Sequence, residues 1–562
     1  MNIKETIKQL IHDALENCAQ SGLFSKHHSP NFVIETPKIK EHGDYATNVA
    51  MLLAPQEKKP PREIAKHIIE HISQNSGIVE KLEVAGPGFI NFFISRACWL
   101  ETFRDISLKG SAYGKSQLGK GTKINLEYVS ANPTGPLHIG HGRGAAVGNA
   151  LASILEAVGY DVSQEYYIND AGNQMELLGK SVYTRYLQLL GKEVAFPPDF
   201  YQGEYIEEIA QHILSQHGDQ YENTGESETL PFFASFAIDS ILKGIQKDLE
   251  DFGIHFDTWF SEKTLHKEKT VDRAIEELKQ KDYTYQNEGH LWFKSTLFDD
   301  DKDRVVIRSN GVPTYFASDC AYHLNKLERG FEKIINIWGA DHHGYIPRIK
   351  AVIEAFGKNR DVIEVLLVQF VNLLRDGTPV AMSTRSGTFV TLREVIDEVG
   401  KDAVKYSFLT RKSDAHLDFD LEVAKKQSDD NPVYYVQYAH ARICNIIKFA
   451  EEQGIPLPQS DDVDLKLLTL PEEMNLIKQL SSYPELLEGC ALSLEPHRIT
   501  IYLNDLVSNF HRYYHLGKLD GKNRVVTEDV ELSKSRLWLA NTIRIVIKNA
   551  LTLLGVSAPE KM

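Results

Sequence analysis

This sequence predicts a multidomain α/β protein: a parallel-sheet core carrying an inserted segment, an N-terminal α+β domain and a C-terminal all-α bundle. Three observations carry that reading. The chain has 562 residues, enough for three or four domains at about 100–200 residues each. A strand, a Pro/Gly turn and an amphipathic helix follow one another between Ile124 and Val158, which is how nucleotide-binding α/β domains open. From residue 425 onward the apolar patterning is helical throughout.

Residues 1–115 read as the α+β domain. Ile64, Ala65, Ile68, Ile69 and Ile72 share one face of a helix that opens on Pro60-Pro61, as helix starts often do. Val84 to Phe93 reads as strand, Gly-Pro-Gly turn, strand. Residues 110–121 are polar and glycine-rich, a linker. In the second domain, 116–424, Ile124, Leu126 and Tyr128 alternate with polar residues as a strand does. The helix after the turn carries Val147, Leu151, Ile154, Leu155 and Val158 on one face. Residues 180–305 are polar, helical and acidic and read as an insertion; a second α/β half follows, with apolar runs at 334–338 and 365–371. Residues 425–562 form the helical domain.

Sixty-two Lys+Arg against 78 Asp+Glu give a formal charge of −16, which speaks against coating nucleic acid or acidic membranes by bulk charge. The charge is uneven, however: +1 over 1–115, −15 over 116–424 and −2 over 425–562. Within the last region, 511–548 holds eight basic and four acidic residues, with Phe510, Tyr513 and Tyr514 beside them. Aromatic faces among cations suit single-stranded nucleic acid; a tyrosine stripe at helical spacing is more often a core feature. No apolar run reaches 18 residues, and the N-terminus has no signal-peptide pattern. The five cysteines form no Cys-x-x-Cys pair, so neither a disulfide framework nor a metal site is expected, and the predicted setting is the cytoplasm.

The most informative segment is Ser130 to Gly144, with Asn132-Pro133-Thr134-Gly135-Pro136 leading into His138-Ile139-Gly140-His141. Two histidines three apart face the same way at a helix start, where unpaired backbone N–H groups and the helix dipole already attract anions. Imidazole N–H donors there suit a polyphosphate whose charge is moving between oxygens. Glycines 140, 142, 144 and 148 do not make Gly-x-Gly-x-x-Gly, and Gly110 to Ser116 is one residue short of a P-loop.

In this context His138-Ile139-Gly140-His141 resembles the HIGH signature of class I aminoacyl-tRNA synthetases, and its flanks resemble arginyl-tRNA synthetases in particular. Supporting strings span the chain: His42–Asn48, Ala85–Asn91, Tyr166–Gln174, Trp338–Gly344, Asp430–His440 and Leu554–Met562. The resemblance implies a class I Rossmann-like catalytic core. It implies ATP-dependent activation of L-arginine to the adenylate, release of pyrophosphate, and transfer to the 3′ end of tRNA(Arg), with Mg²⁺ accompanying ATP. His138, His141 and Gly140 would hold ATP, and Asp341 would meet its ribose. The second signature, usually Lys-Met-Ser-Lys-Ser, corresponds to Ala381-Met382-Ser383-Thr384-Arg385. Met382 and Ser383 would meet ATP. Both lysines are missing, and Gly135 stands where some relatives place a compensating one, so Arg385 is the expected cation on the leaving phosphates.

Arginine recognition needs planar carboxylate partners. Glu127, Tyr315 and Asp319 match such family positions, and Ser130 and Asn132 would meet the backbone end of the amino acid. Asn169, Asp170 and Gln174 are pocket candidates without a specific role. The resemblance further implies an N-terminal domain and a helical anticodon domain that grip tRNA, and a monomer. The alternative, a binding-only paralogue without activity, draws on the missing lysines.

Overall fold

The structure, a computed structural model, describes residues 3–25, 30–37, 39–72, 77–380 and 390–562. The chain packs as two compact units. One comprises 1–113, 443–483 and 509–546, and the other 114–442, 484–508 and 547–562.

In the first unit a four-stranded antiparallel sheet (Ile34–Glu35, Tyr45–Thr47, Phe89–Ile94, Val79–Ala85) is covered by helices Ile3–Gln20, Val49–Glu57 and Pro61–His71. The Pro61 helix buries Ile64, Ala65 and Ile68, the face read from the sequence, and Gly86 (φ +50°) and Gly88 (φ +139°) turn the hairpin. Helices of the C-terminal region pack into the same unit: Lys478 Nζ donates to Asp44 Oδ1 at 2.6 Å, and Arg96 Nη2 donates to the Leu468 carbonyl at 2.7 Å. Their core holds a buried ion pair, Arg536 Nε to Glu473 Oε1 at 2.9 Å, with both Arg536 Nη1 bonds spent on the carbonyls of Lys522 and Arg524.

The second unit is built on five parallel strands. We label β1 Lys123–Glu127, α1 Ile139–Ala157, β2 Asp161–Ile168, β3 Thr258–Ser261, α2 Glu262–Lys267, α3 Tyr315–Glu328, β4 Lys333–Gly339, β5 Ile363–Val368, α4 Leu392–Val399 and α5 Lys401–Phe408. The strand order is β5-β4-β1-β2-β3, every pair parallel. The chain runs outward from β1 through β2 to β3, then crosses back to β4 on the other side of β1. A parallel sheet opens a crevice at such a reversal, outside the carboxyl ends of the strands.

One expectation needs correction. Residues 180–305, read as an insertion, do supply helices Glu204–His217 and Glu226–Asp251 and a three-stranded antiparallel sheet. They also supply β3, the edge strand of the main sheet. Four residues long and half-buried, β3 is too short to stand out as a strand beside the long helix before it. Among the described residues no helix is long and apolar enough to cross a membrane.

Candidate active site

β1 ends at Glu127 and the chain kinks at once: Val129 and Ser130 both have positive φ, 68° and 39°. Non-glycine residues seldom occupy that region and β-branched ones least of all, so the kink is a strained backbone held by its surroundings. It folds Ser130 back over the strand. Its Oγ donates to Glu127 Oε1 at 3.0 Å and accepts from the Tyr167 amide of β2 at 3.1 Å.

On the other side of the crevice α3 begins at Tyr315, capped by the Thr314 hydroxyl on the Ala317 amide. One turn in, Asp319 lies below Tyr315. The crevice holds a cavity of about 350 Å³ that brings together six residues expected from the sequence: Glu127, Ser130, Asn132, Asn169, Tyr315 and Asp319. It adds Tyr167, Glu262, Tyr322, His323, Trp338, His342 and Tyr345, which sequence reasoning missed. Glu262 is the most consequential of these. It is the first residue of α2, directly after the edge strand, within the stretch read as an insertion. The available signal was the aromatic pair Trp259-Phe260 leading into Ser261-Glu262, a strand end followed by a helix cap.

Three carboxylates therefore face one pocket, and their states differ. Glu127 is 6% exposed and its Oε2 accepts from Lys326 Nζ at 2.6 Å. Among the described residues neither Asp319 nor Glu262 pairs with a lysine or arginine; His266 Nε2 lies 3.9 Å from Glu262 Oε1. Burial pushes the Asp319 carboxyl up to about 7; a hydrogen bond from the Tyr345 hydroxyl pulls it down, and the neighbouring Glu262 and Glu127 push it further up. Burial also raises Glu262, against hydrogen bonds from Ser318 and Tyr167. A cationic ligand placed between Asp319 and Glu262 would favour the ionised form of both carboxyls. The aromatic walls fit a planar cation better than a compact one.

Not all the expected residues join this cavity. Asp170 accepts from Ser261 Oγ at 2.7 Å and from the Lys263 amide at 3.2 Å, so it secures the turn that presents Glu262. Gln174 is exposed and accepts from Asn132 Nδ2 at 3.1 Å. Asp341 follows β4 in a short 3₁₀ turn, solvent-exposed, 3.7 Å from His342 Nε2. Met382, Ser383 and Arg385 lie outside the described residues.

His138, Gly140 and His141 stand at the start of α1. The Gly140 amide donates to His138 Nδ1 at 3.1 Å, and the His138 amide donates to His141 Nδ1 at 3.3 Å. An amide can only donate, so each neutral ring must carry its proton on Nε2. Burial keeps both rings neutral: it lowers His138, and it lowers His141 to about 3 with help from the adjacent His138. The rings stack at 3.7 Å. A Cβ on Gly140 would lie 2.9 Å from His138 Cε1, so glycine is what lets the first ring take this place. His138 also forms a backbone bridge with Thr391, and the Leu392 amide donates to the Leu137 carbonyl at 2.8 Å. The segment entering α4 is thus stapled to the histidine turn. Arg143, fully buried one turn on, locks α1 in place through the carbonyls of Gln369, Lys412 and Ala415 at 2.8–2.9 Å.

Family models match along the whole chain: an arginyl tRNA synthetase N terminal domain over residues 2–94, a tRNA synthetases class I (R) catalytic domain over 103–443, and a DALR anticodon binding domain over 436–562. The arginine–tRNA ligase of Citrifermentans bemidjiense is 53% identical over 561 residues, and that of Bacillus subtilis 46% over 563, each match covering 100% of both chains. The solved arginyl-tRNA synthetase of Thermus thermophilus superposes with a TM-score of 0.77 over 100% of both chains at 21% identity, a likeness of fold.

Proposed function

The chain belongs to the arginyl-tRNA synthetase family, and from that premise we propose how its residues carry out the ligase reaction. The enzyme is an arginine–tRNA ligase: it activates arginine with ATP and transfers it to tRNA. Full-length relatives named as ligases do not favour a binding-only paralogue.

The observation that carries the proposal is the convergence of Glu127, Glu262 and Asp319 on one aromatic-walled cavity, with Lys326 paired to Glu127. Arginine enters with its guanidinium toward Asp319 and Glu262, Tyr315 closing over it, while Ser130, Asn132 and Asn169 face its backbone end. ATP lies on the start of α1. There the Nε2–H groups of His138 and His141 point at the phosphates, Gly140 leaves the rings their room, and Asp341 meets the ribose. As the arginine carboxylate attacks the α-phosphorus, charge flows onto the departing β,γ-phosphates. Neutral N–H donors aimed there stabilise the later state more than the earlier. Mg²⁺ belongs to the substrate and arrives with the triphosphate.

Arg385, with Met382 and Ser383 beside it, supplies the remaining positive charge. Thr391, six positions after Arg385, is bridged to His138, and six residues span at most about 20 Å. A Cβ at Gly135 would lie 3.1 Å from the Tyr205 hydroxyl, so a lysine there would need Tyr205 to shift.

The proposed division remains 1–115, 116–424 and 425–562; the family models follow the same order with bounds of 2–94, 103–443 and 436–562. A tRNA-gripping surface fits the C-terminal region, where Phe449, Tyr514, Lys518 and Arg524 line a cavity of about 300 Å³. A cytoplasmic monomer is the family's habit and is proposed on that ground alone. The test is arginine-dependent ATP–pyrophosphate exchange with and without tRNA(Arg), for wild type and Arg385→Ala. Exchange in the wild type and a loss of about 10²-fold in the variant, the scale of one transition-state contact, are expected. Unchanged exchange in Arg385→Ala removes that residue from the mechanism.

A further inference from the structure

Tyr345 ends the 3₁₀ turn Ala340–Tyr345 that follows β4 and stands at the N-cap of the helix Ile346–Ala355, which packs against α3. Its ring is held from three directions. Phe316 of α3 meets it edge-to-face with ring centres 6.4 Å apart, Trp338 of β4 does the same at 6.1 Å, and the Arg348 guanidinium lies 4.8 Å from the ring centre. Contacts of this kind fix the ring plane, and with it the line along which the hydroxyl points. The hydroxyl donates to Asp319 Oδ2. Among the described residues no hydrogen bond reaches Asp319 Oδ1, which is left for a ligand. A phenylalanine would keep every ring contact; the hydroxyl adds the bond to Asp319.

The charged and titratable groups around Asp319 are Glu127 of β1 with Lys326 upon it, Tyr167 of β2, Glu262 of α2, His323 on the next turn of α3, and His342, Tyr345 and Arg348 beyond β4. Burial and the neighbouring Lys326 keep His323 neutral, lowered to about 3, and Arg348 lies against the Tyr345 ring. Burial and the two acids therefore push the Asp319 carboxyl up, and the Tyr345 hydroxyl is the hydrogen-bond donor that opposes them. A donor on one carboxylate oxygen favours the charged form and stops the group from rotating. We propose that Tyr345 is a positioning residue for arginine: its hydroxyl fixes the Asp319 carboxylate and favours the charged form that receives the guanidinium. The inference rests on the assignment of this cavity to arginine.

The experiment is the dissociation constant of radiolabelled arginine, with tRNA(Arg) present, between about pH 6 and 9. It is measured for wild type, Tyr345→Phe, Asp319→Asn and the double variant Tyr345→Phe/Asp319→Asn. A hydrogen bond to a charged group is worth about tenfold in the balance between charged and neutral forms. Losing the donor raises the carboxyl, so the pH below which arginine affinity falls should rise by about one unit in Tyr345→Phe. Because the guanidinium binds the charged form, that variant should bind about fivefold more weakly than wild type at pH 7 and within about twofold of it at pH 9. In the Asp319→Asn background the tyrosine substitution should add less than about twofold at any pH, because the group it served is gone. Installing 3-fluorotyrosine at position 345 keeps the ring and makes the hydroxyl a stronger donor. It should move the fall to lower pH, and it decides the matter if Tyr345→Phe is recovered unfolded. The proposal is overturned by an unmoved pH profile in either substitution, by a loss in Tyr345→Phe that is equal at every pH, or by an effect as large without the Asp319 carboxyl. Asp319→Asn separates the two levels. If it leaves arginine affinity unchanged, the pocket assignment fails; if it weakens binding and the position-345 substitutions are silent, the positioning role alone fails.

Discussion

Asp319→Asn lowers kcat/KM for arginine in the exchange reaction by about 10²–10³-fold, while the KM for ATP stays within about threefold. The size follows from the burial of the pair it breaks. Truncating one partner of a desolvated, hydrogen-bonded charge pair costs about 3–5 kcal/mol, and each 1.4 kcal/mol is about tenfold. The asparagine keeps the shape and can still accept the Tyr345 hydroxyl, so the loss reports charge rather than collapse of the pocket. Glu262→Gln should act in the same direction. Arginine-to-lysine preference should fall in both variants, because a planar fork loses its matching carboxylate whereas a point charge loses less.

His141→Ala gives the second large effect: a kcat about 10²–10³-fold lower, the range for deleting one preorganised donor at a developing charge, with the arginine KM within about threefold. Part of any stability loss, about 1 kcal/mol, belongs to the cap His141 makes on the His138 amide. Because burial holds the ring neutral down to about pH 3, kcat should show no titration of this histidine between pH 6 and 8. A protonated ring would lose its role as acceptor for the His138 amide and with it the fixed aim of Nε2.

The sequence made the histidine turn legible because its parts are local. Strand, Pro/Gly turn and helix start are contiguous, and their geometry follows from spacing alone. Glu127, Ser130 and Asn132 lie on the same stretch, but their roles came from the resemblance to arginyl-tRNA synthetases rather than from spacing. For Tyr315 and Asp319 the four-residue spacing implied that they lie close together on a helix, and the resemblance supplied their role; the Thr314 cap confirms that the helix begins there. Glu262 was hidden because its place in the pocket depends on β3, a four-residue edge strand that pairs with β2 some 90 residues away in sequence, and no local pattern announces that pairing. Lys326 was hidden for a different reason. In sequence it is one more charge on an amphipathic helix, and only the register of β4 against β1 shows that it points inward at Glu127. The reading of Asp170 changed similarly. A pocket candidate by its neighbourhood, it holds the turn under Glu262.

The central claim is that the cavity over β1 and β4 binds arginine through acids whose charge the substrate itself completes. The most direct test is the dissociation constant of arginine against pH between 6 and 8, for wild type and Asp319→Asn. The Asp319 carboxyl, raised to about 7 by burial and by Glu262 and Glu127, is partly protonated in the free enzyme. The guanidinium stays charged throughout and binds the ionised form. Lowering the pH must therefore cost a proton released on binding, and affinity falls as pH drops through 7. The wild type should bind arginine roughly tenfold more weakly at pH 6 than at pH 7.5, levelling off by pH 8, and Asp319→Asn should bind weakly at every pH with no such slope. A flat wild-type profile, or the same slope in Asp319→Asn, would contradict the account.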